Sequence, residues 1–252
     1  MNTNNPIGIF DSGIGGATVL KEILKILPNE NYIYYSDSKN NPYGDKTDEQ
    51  ILNFCDEIVK EFINKNCKAI VIACNTASAK SAKFLREKYS DKIIIAIEPA
   101  YKMVHDYAYN GATLIMATKG TLESEKFYKL YEKYNNNKTY LLPCKGLAEL
   151  IENGNKEEIN KYLEKNLSKY KGKVENVVLG CTHYPLIKEQ IKQVLGDIKF
   201  FEGSPNLALH LKQVLEDKEL INLSENIGNI EFIDSSNSEL KKERFLRQLG
   251  QS

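Results

Sequence analysis

Short apolar segments alternate with amphipathic segments of helical period along almost the entire chain. The apolar segments are continuous and do not alternate with polar residues, which is typical of β-strands covered on both faces. Regular strand–helix alternation predicts parallel sheets connected by right-handed crossovers. The predicted strands are Ile7–Phe10, Tyr32–Tyr35, Ala69–Ala73, Ile93–Ile97, Thr113–Ala117, Val177–Leu179 and Ile230–Ile233. The predicted helices are Ala17–Leu27, Thr76–Tyr89, Leu122–Tyr134, Ile159–Tyr170, Leu186–Leu195 and Leu207–Leu215.

Two segments of the sequence share one local pattern, and each contains a cysteine. AIVIACNTASA places Cys74 after a predicted strand and before a predicted helix, and NVVLGCTHYPL does the same for Cys181. Open α/β sheets bind ligands at the carboxyl ends of their strands. We therefore expect an α/β fold of two similar parallel-sheet domains related by a pseudo-twofold axis, with the active site in the cleft between them.

The composition is that of an ordinary globular protein and argues against several partners. Its 252 residues suffice for one large or two small domains with a buried core. The 34 Lys and Arg residues balance the 34 Asp and Glu residues, so no overall charge attracts nucleic acid or anionic lipid. No segment approaches the roughly 18–20 apolar residues of a membrane span, and the first residues lack the features of a signal peptide. We expect a cytoplasmic protein without nucleic-acid or membrane partners.

The five cysteines differ in their surroundings. Their odd number and the lack of a C-x-x-C pair argue against a disulfide framework or a zinc ribbon. Cys74 and Cys181 stand beside polar residues at the predicted start of a helix, where amide donors and the helix dipole favour a thiolate. The other three are expected to be small buried apolar residues: Cys55, Cys67 and Cys144.

His183 lies two residues after Cys181, and a Cys-x-His pair permits two kinds of chemistry. It could ligate zinc, but no second pair with metal spacing exists in the sequence, so no metal site is predicted. A thiolate beside an imidazole is also the nucleophile of Cys–His hydrolases. A hydrolase of that kind leaves the second matching cysteine, Cys74, without a role.

The segment from Asp11 to Gly16, DSGIGG, follows the first predicted strand and precedes a helix. Its glycines permit positive φ angles and a close approach to the backbone, and its amides can hold an anion such as a carboxylate. It lacks the spacing of a dinucleotide-binding loop and the Gly-Lys of a P-loop. A tight strand-to-helix turn is the alternative interpretation.

Three other segments have both a structural and a functional interpretation. Pro42-Tyr43-Gly44 lies in a polar loop and by itself indicates only a turn. The T-x-G-T segment from Thr118 to Thr121 follows a predicted strand, where it offers hydroxyls and amides to a ligand or simply caps a helix. Glu149 and Glu152 lie on a predicted helix, where either could belong to a solvated face.

Taken in order, these motifs resemble those of one known family. IGIFDSGIGGATVL, NPYG, VIACNTASA, IEPA, ATKGTLES and LGCTHYPL are similar to segments of glutamate racemases, which belong to the aspartate/glutamate racemase family, and the resemblance extends from Ile7 to FLRQLG. It implies a first domain of residues 1–97 with 207–252 and a second domain of residues 98–206, with one cysteine in each. It also implies a homodimer that interconverts L- and D-glutamate without a cofactor. The product would supply peptidoglycan synthesis, and thereby cell-wall biogenesis and cell shape.

The resemblance implies a role for each matching residue. Cys74 would act on the D-enantiomer with assistance from Asp11, and Cys181 on the L-enantiomer with assistance from His183. Glu152 matches an acidic residue near His183. The positions that would line the substrate site are Asp11, Ser12, Pro42, Tyr43, Gly44, Asn75, Thr76, Thr118, Thr121, Thr182 and His183.

The sequence departs from the family pattern in two places. Asn40 occupies a position where the family commonly has arginine, and within CKGLAELIE the residues Lys145 and Glu149 replace prolines. The second departure leaves open whether Glu149 or Glu152 is the acidic residue near His183.

Two thiols suit a racemase for a chemical reason. Racemisation removes the α-proton from one face and returns a proton to the opposite face, so a thiolate on one side and a thiol on the other suffice. No lysine at a strand end stands out as a pyridoxal phosphate site, so the protein itself must stabilise the carbanion. It would exclude water and direct amide and hydroxyl donors at the α-carboxylate. A thiol pKa of about 8.5 would have to shift by roughly 1–2 units to lie near the working pH.

Three alternatives are left by the residues. An aspartate racemase or a hydantoin-type racemase would keep both cysteines but have a different side-chain pocket. A Cys–His hydrolase represents a different chemistry, and a ligand-binding or regulatory protein that has lost catalysis represents a non-enzyme. The presence of Cys74, Cys181 and His183 argues against the last of these.

Overall fold

The computed structural model describes residues 2–108 and 110–250. The strands are β1 Ile7–Asp11, β2 Tyr32–Ser36, β3 Ala69–Ile72, β4 Ile94–Ala96, β5 Thr113–Ala117, β6 Thr139–Pro143, β7 Asn176–Gly180, β8 Lys199–Glu202 and β9 Ile230–Asp234. The helices are α1 Ala17–Ile26, α2 Asp48–Asn64, α3 Asn75–Lys88, α4 Tyr101–Ala108, α5 Lys119–Leu122, α6 Glu125–Tyr134, α7 Leu147–Asn153, α8 Lys156–Leu167, α9 Lys188–Leu195, α10 Ser204–Asp217 and α11 Glu239–Leu249. None of the helices in the described residues combines the length and the apolar character needed to cross a membrane.

The strands form two parallel sheets with the same internal order. The first sheet is ordered β4-β3-β1-β2-β9 and the second β6-β5-β7-β8. In both, the first strand lies between the second and the third, and the fourth lies beyond the third; β9 extends the first sheet beside β2. We refer to the first sheet with α1–α3, α10 and α11 as the first unit, and to the second sheet with α4 and α6–α9 as the second unit. The predicted α/β class with two similar parallel sheets is confirmed.

Each sheet is covered by helices on both faces, which explains the continuous apolar strands. In β1, Ile9 packs toward α1, α10 and α11, whereas Phe10 packs toward α2 and α3. In β5, Leu114 and Met116 pack toward α7–α9, whereas Ile115 packs toward α4 and α6. All five side chains are fully buried, and each such burial contributes about 1.5–3 kcal/mol to the free energy of unfolding.

Several elements are missing from the pattern-based prediction. Strands β6 and β8 lie at the two edges of the second sheet, and Tyr140 and Leu141 of β6 are exposed. Helix α11 has one fully buried side chain, Phe245. Edge strands and a helix held by a single aromatic residue bury too few side chains to give a clear apolar pattern.

Four polar residues leave the sheets at the carboxyl ends of the central strands. Asp11 ends β1 and Cys74 follows β3, while Thr118 follows β5 and Cys181 follows β7. In an open parallel sheet of this order, ligands bind in the crevice outside the first and third strands. The fold therefore places one cysteine at the corresponding point of each unit.

Candidate active site

Cys74 is the N-cap residue of α3 and is buried. Its sulfur accepts a hydrogen bond from the Ala77 N–H at 3.5 Å, and its thiol donates to the Ser12 hydroxyl at 3.7 Å. Burial, followed by the nearby Asp11 carboxylate, raises the pKa of Cys74 to about 12. The expected thiolate-favouring effect of the helix start is present in the Ala77 contact, but desolvation of a buried charge outweighs it. In the free protein Cys74 is therefore a thiol.

Cys181 is the first member of a chain of three buried side chains, which we call the Cys181 triad: Cys181, His183 and Glu152. The Cys181 sulfur lies 3.7 Å from Nδ1 of His183, and Nε2 of His183 lies 2.6 Å from Oε2 of Glu152. Burial alone would lower the pKa of His183, but hydrogen bonds to Cys181 and Glu152 raise it well above its usual value. Burial would raise the pKa of Glu152, but His183 holds it below its usual value. The imidazole and the carboxylate therefore form a buried ion pair beside the sulfur.

The structure distinguishes the two glutamates of α7. Glu152 is buried and contacts His183, whereas Glu149 is exposed and lies on an outer groove beside Lys145. The acidic residue near His183 is thus Glu152. The two positions are three residues apart, and only the tertiary packing of α7 shows which of them meets the imidazole.

Asp11 lies beneath the site and links the two units. Its carboxylate accepts hydrogen bonds from the Gly13 N–H and from the hydroxyl of Thr182, both at 3.1 Å. Burial raises the pKa of Asp11 to about 6, even though the positive charge of His183 opposes the change. A carboxyl group with this pKa changes its protonation state near neutral pH.

The glycines of the DSGIGG loop allow the second unit to pack directly on the backbone of the first. A Cβ atom at Gly13 would lie 2.8 Å from the Glu152 carboxylate oxygens, and one at Gly15 would lie 2.5 Å from Nδ1 of His183. The Ile14 N–H donates to the same carboxylate at 3.2 and 3.3 Å. The loop holds an anion, as its amides suggested, and that anion is the side chain of Glu152. Neither glycine adopts a positive φ angle, so close approach explains their presence.

A small cavity between the two units is lined by both cysteines. The lining residues are Ser12, Asn41, Pro42, Tyr43, Gly44, Cys74, Asn75, Thr76, Thr118, Ala148, Cys181, Thr182 and His183. One thiol enters this cavity from each unit.

Three of the residues expected at the site lie just behind the cavity wall. Asp11 and Glu152 support Thr182 and His183, as described above. The Thr121 hydroxyl lies 3.0 Å from that of Thr118. Thr121 does not line the cavity, so it would act on a ligand only by positioning the Thr118 hydroxyl, which does.

Sequence reasoning missed two lining residues, Asn41 and Ala148. Asn41 directly precedes Pro42, so its position beside the NPYG motif was an available signal. Ala148 has no chemical group that would distinguish it from any other helical alanine. Its place in the lining follows only from the packing of α7 against the first unit.

Asn75 carries a polar atom that suits a ligand. Its side-chain oxygen is buried and has no hydrogen-bond partner among the described residues. A buried polar atom left unpaired costs about 1–3 kcal/mol, which a bound donor such as an ammonium group would recover. No group of three or more His, Cys, Asp and Glu side chains within residues 2–108 and 110–250 is arranged to hold a metal ion.

Comparison with known proteins agrees with this geometry. A glutamate racemase from Clostridium botulinum (strain Alaska E43 / Type E3) is 45% identical over 241 residues, which cover 94% of this chain and 93% of that protein. The sequence model of the Asp/Glu/hydantoin racemase family matches residues 7–205. The chain belongs to the Asp/Glu/hydantoin racemase family. The family resemblance of the motifs and the prediction of a racemase are confirmed.

Solved structures of other members of this racemase family extend the similarity to both units. Glutamate racemase from Francisella tularensis subsp. tularensis SCHU S4, in complex with D-glutamate, has a TM-score of 0.84 at 32% identity and covers 98% of this chain and 94% of its own. Glutamate racemase isoform RacE1 from Bacillus anthracis has a TM-score of 0.86 at 28% identity, covering 99% and 95%. The similarity thus extends over 98–99% of this chain and includes both units.

Proposed function

We propose that this racemase interconverts L- and D-glutamate by two-base proton transfer at the α-carbon, without a cofactor. One observation carries the proposal: two cysteines from equivalent strand ends of the two units line one small cavity, and their acid–base environments differ. The names of the Clostridium and Francisella relatives, and the D-glutamate bound to the latter, support glutamate as the substrate.

The two cysteines have unequal environments. Cys74 is held as a thiol by burial, whereas the sulfur of Cys181 lies 3.7 Å from Nδ1 of the His183 imidazole. We propose that Cys181 removes the α-proton of L-glutamate and that the Cys74 thiol donates a proton to the opposite face. D-Glutamate reacts in the reverse direction, from the protonation state that the forward reaction leaves, in which Cys74 has lost its proton and is the base and Cys181 has gained one and is the acid. The assignment of each enantiomer to its cysteine comes from the family resemblance.

The remaining polar groups are proposed to stabilise the carbanion. The hydroxyls of Thr76 and Thr118 lie 2.8 Å apart at the cavity wall, and Ser12 and Thr182 supply two more. Preorganised donors at the α-carboxylate stabilise the charge that develops as the α-proton leaves. The buried oxygen of Asn75 would accept a hydrogen bond from the substrate ammonium group.

The wider biological setting is proposed on the same grounds. The product D-glutamate would serve peptidoglycan synthesis in the cytoplasm, and the protein would act as a homodimer. We also propose that the domains comprise residues 1–97 with 207–252 and residues 98–206. Of these proposals, the domain division has the most direct support, because its boundaries separate the strands of the first sheet from those of the second.

The test is incubation of the purified protein with L-glutamate in D₂O, without pyridoxal phosphate or added metal. We expect deuterium at the α-carbon and a decay of optical rotation to zero, with the same behaviour from D-glutamate. L-Aspartate serves as the control and should react little. A preference for aspartate, or an activity that a chelator abolishes and zinc restores, would contradict the proposal.

A further inference from the structure

Helix α11 of the first unit holds the far end of the Cys181 triad. Nζ of Lys241 lies 3.4 Å from Oε1 of Glu152, and the Arg244 guanidinium donates a hydrogen bond to the Glu152 backbone carbonyl. Lys241 and Arg244 are three residues apart and therefore project from the same face of the helix. The helix itself is anchored to the first unit by the fully buried ring of Phe245, 4.4 Å from that of Tyr34.

The two cationic partners of Glu152 lie on different carboxylate oxygens, while the Ile14 N–H donates to both. Oε2 meets Nε2 of His183 at 2.6 Å, and Oε1 meets Lys241. The Glu152 side chain is 4% exposed and that of Lys241 is 23% exposed. A carboxylate this deeply buried needs compensating charge and hydrogen bonds, and a second cation on the opposite oxygen fixes the rotation of the group.

We propose that Lys241 is a positioning residue for the Cys181 half of the site. By holding Oε1 of Glu152, it directs Oε2 toward His183 and keeps the imidazole against the Cys181 sulfur. The inference rests on the proposed function and deepens it, because it assigns to α11 the control of one of the two half-reactions. Cys74 meets Ser12 and the Ala77 amide and not the Glu152 carboxylate, so the other half-reaction should not depend on Lys241.

The kinetic test uses three substitutions in α11. Lys241→Met removes the charge, Lys241→Arg keeps it, and Lys242→Met is the matched control, because Lys242 is half exposed and its 4.0 Å ion pair with Glu239 lies within the helix. In a Cys74→Ala background, Lys241→Met should slow deuterium exchange of L-glutamate by about tenfold or more, since misplaced catalytic groups lose that much. Lys241→Arg should recover most of the rate, and Lys242→Met should not change it.

The Cys181→Ala background distinguishes a positioning role of Lys241 from a general loss of stability. In Cys181→Ala, where exchange of D-glutamate depends on Cys74, Lys241→Met should leave the rate unchanged within about twofold. A merely structural role of Lys241 would slow both half-reactions alike. Equal losses in the two backgrounds, or no loss in either, would overturn the inference.

A spectroscopic test is independent of activity. The chain has three histidines, so the imidazole ¹⁵N signals of His183 can be assigned with the variants His105→Gln and His210→Gln. In the ligand-free protein these signals should shift in Lys241→Met, return in Lys241→Arg and stay in place in Lys242→Met. Unchanged His183 signals in Lys241→Met would refute the positioning role even in an active racemase. Shifted signals in a protein that does not racemise glutamate would refute the proposed function alone.

Discussion

Cys74 and Cys181 occupy equivalent positions in the two units but have different neighbours. Cys74 has a hydroxyl, an amide and the nearby carboxylate of Asp11, whereas Cys181 has the His183–Glu152 ion pair. Groups whose environments differ in this way can hold different protonation states in one cavity. A two-base reaction needs that difference, because one sulfur must accept a proton while the other donates one.

The residue-scale prediction concerns Cys74→Ala and Cys181→Ala. Each should reduce racemisation by about 10³-fold or more, because one face of the α-carbon loses its acid/base. In D₂O, Cys181→Ala should exchange the α-proton of D-glutamate only, and Cys74→Ala that of L-glutamate only, both with retained configuration. Proton NMR and optical rotation provide the measurement.

Cys67→Ala is the matched control for these variants. Cys67 is a buried cysteine outside the cavity lining, so its replacement should leave racemisation in place. A nucleophilic hydrolase would need one of the two site cysteines and tolerate loss of the other. Racemisation near the wild-type rate by either site variant would end the two-base proposal.

At the scale of the element, α11 connects the fold to the site. Phe245 packs between Tyr34 and Phe232, with ring centroids 4.4 and 4.5 Å away. The hydroxyl of Tyr34 in turn donates a hydrogen bond to the Gly13 carbonyl at 2.8 Å. The aromatic cluster therefore fixes both α11 and the glycine loop, the two parts of the first unit that hold Glu152.

Phe245→Ala tests the importance of this anchor. Removing the ring should lower the free energy of unfolding by about 3–5 kcal/mol, because a fully buried aromatic side chain leaves a cavity. Leu240→Ala in the same helix is the control. Leu240 is 57% exposed, so its replacement should change stability by no more than about 0.5 kcal/mol. Urea unfolding of both variants gives the comparison, and equal losses would show that α11 is not held by Phe245.

At the scale of the whole molecule, buried charges join the two units. The Thr182 hydroxyl donates a hydrogen bond to Asp11, and the Ile14 amide donates one to Glu152. Each unit therefore supplies a carboxylate that accepts a hydrogen bond from the other unit. These contacts close the cavity and order the catalytic groups, but they also keep ionisable groups away from water. A carboxylate whose pKa is raised by burial destabilises the folded state at every pH at which it is ionised.

Asp11→Asn should therefore stabilise the protein as the pH rises. The pKa of Asp11 is about 6 in the folded protein against 3.8 as an ordinary value, so the folded state binds the extra proton between these pH values. Wild-type stability is lost as the pH rises through this window. The stability gain of Asp11→Asn should increase by about 2 kcal/mol between about pH 4.5 and about pH 7.5.

Unfolding by urea at several pH values measures this difference, and racemase activity is followed in parallel. Activity should fall, because the family resemblance implies that Asp11 assists Cys74. A gain in stability that does not depend on pH would show that ionisation of Asp11 is not its cause.

The sequence by itself determined the strand–helix alternation, the class of two parallel sheets and the pair of cysteines at strand ends. These features follow from local patterns: an apolar segment that is buried on both faces, and a polar residue where a strand meets a helix. The match of Cys74 to Cys181 was visible because each unit repeats the same third strand and turn.

Only the tertiary structure decided which groups meet across the cleft. Glu152, and not Glu149, contacts His183, and Lys241 contacts Glu152. Both contacts join residues far apart in sequence, and no local pattern encodes such a pair. The same holds for the pKa of Cys74. The helix start favours a thiolate, but the depth of burial, which the packing of the two units sets, makes desolvation the larger effect.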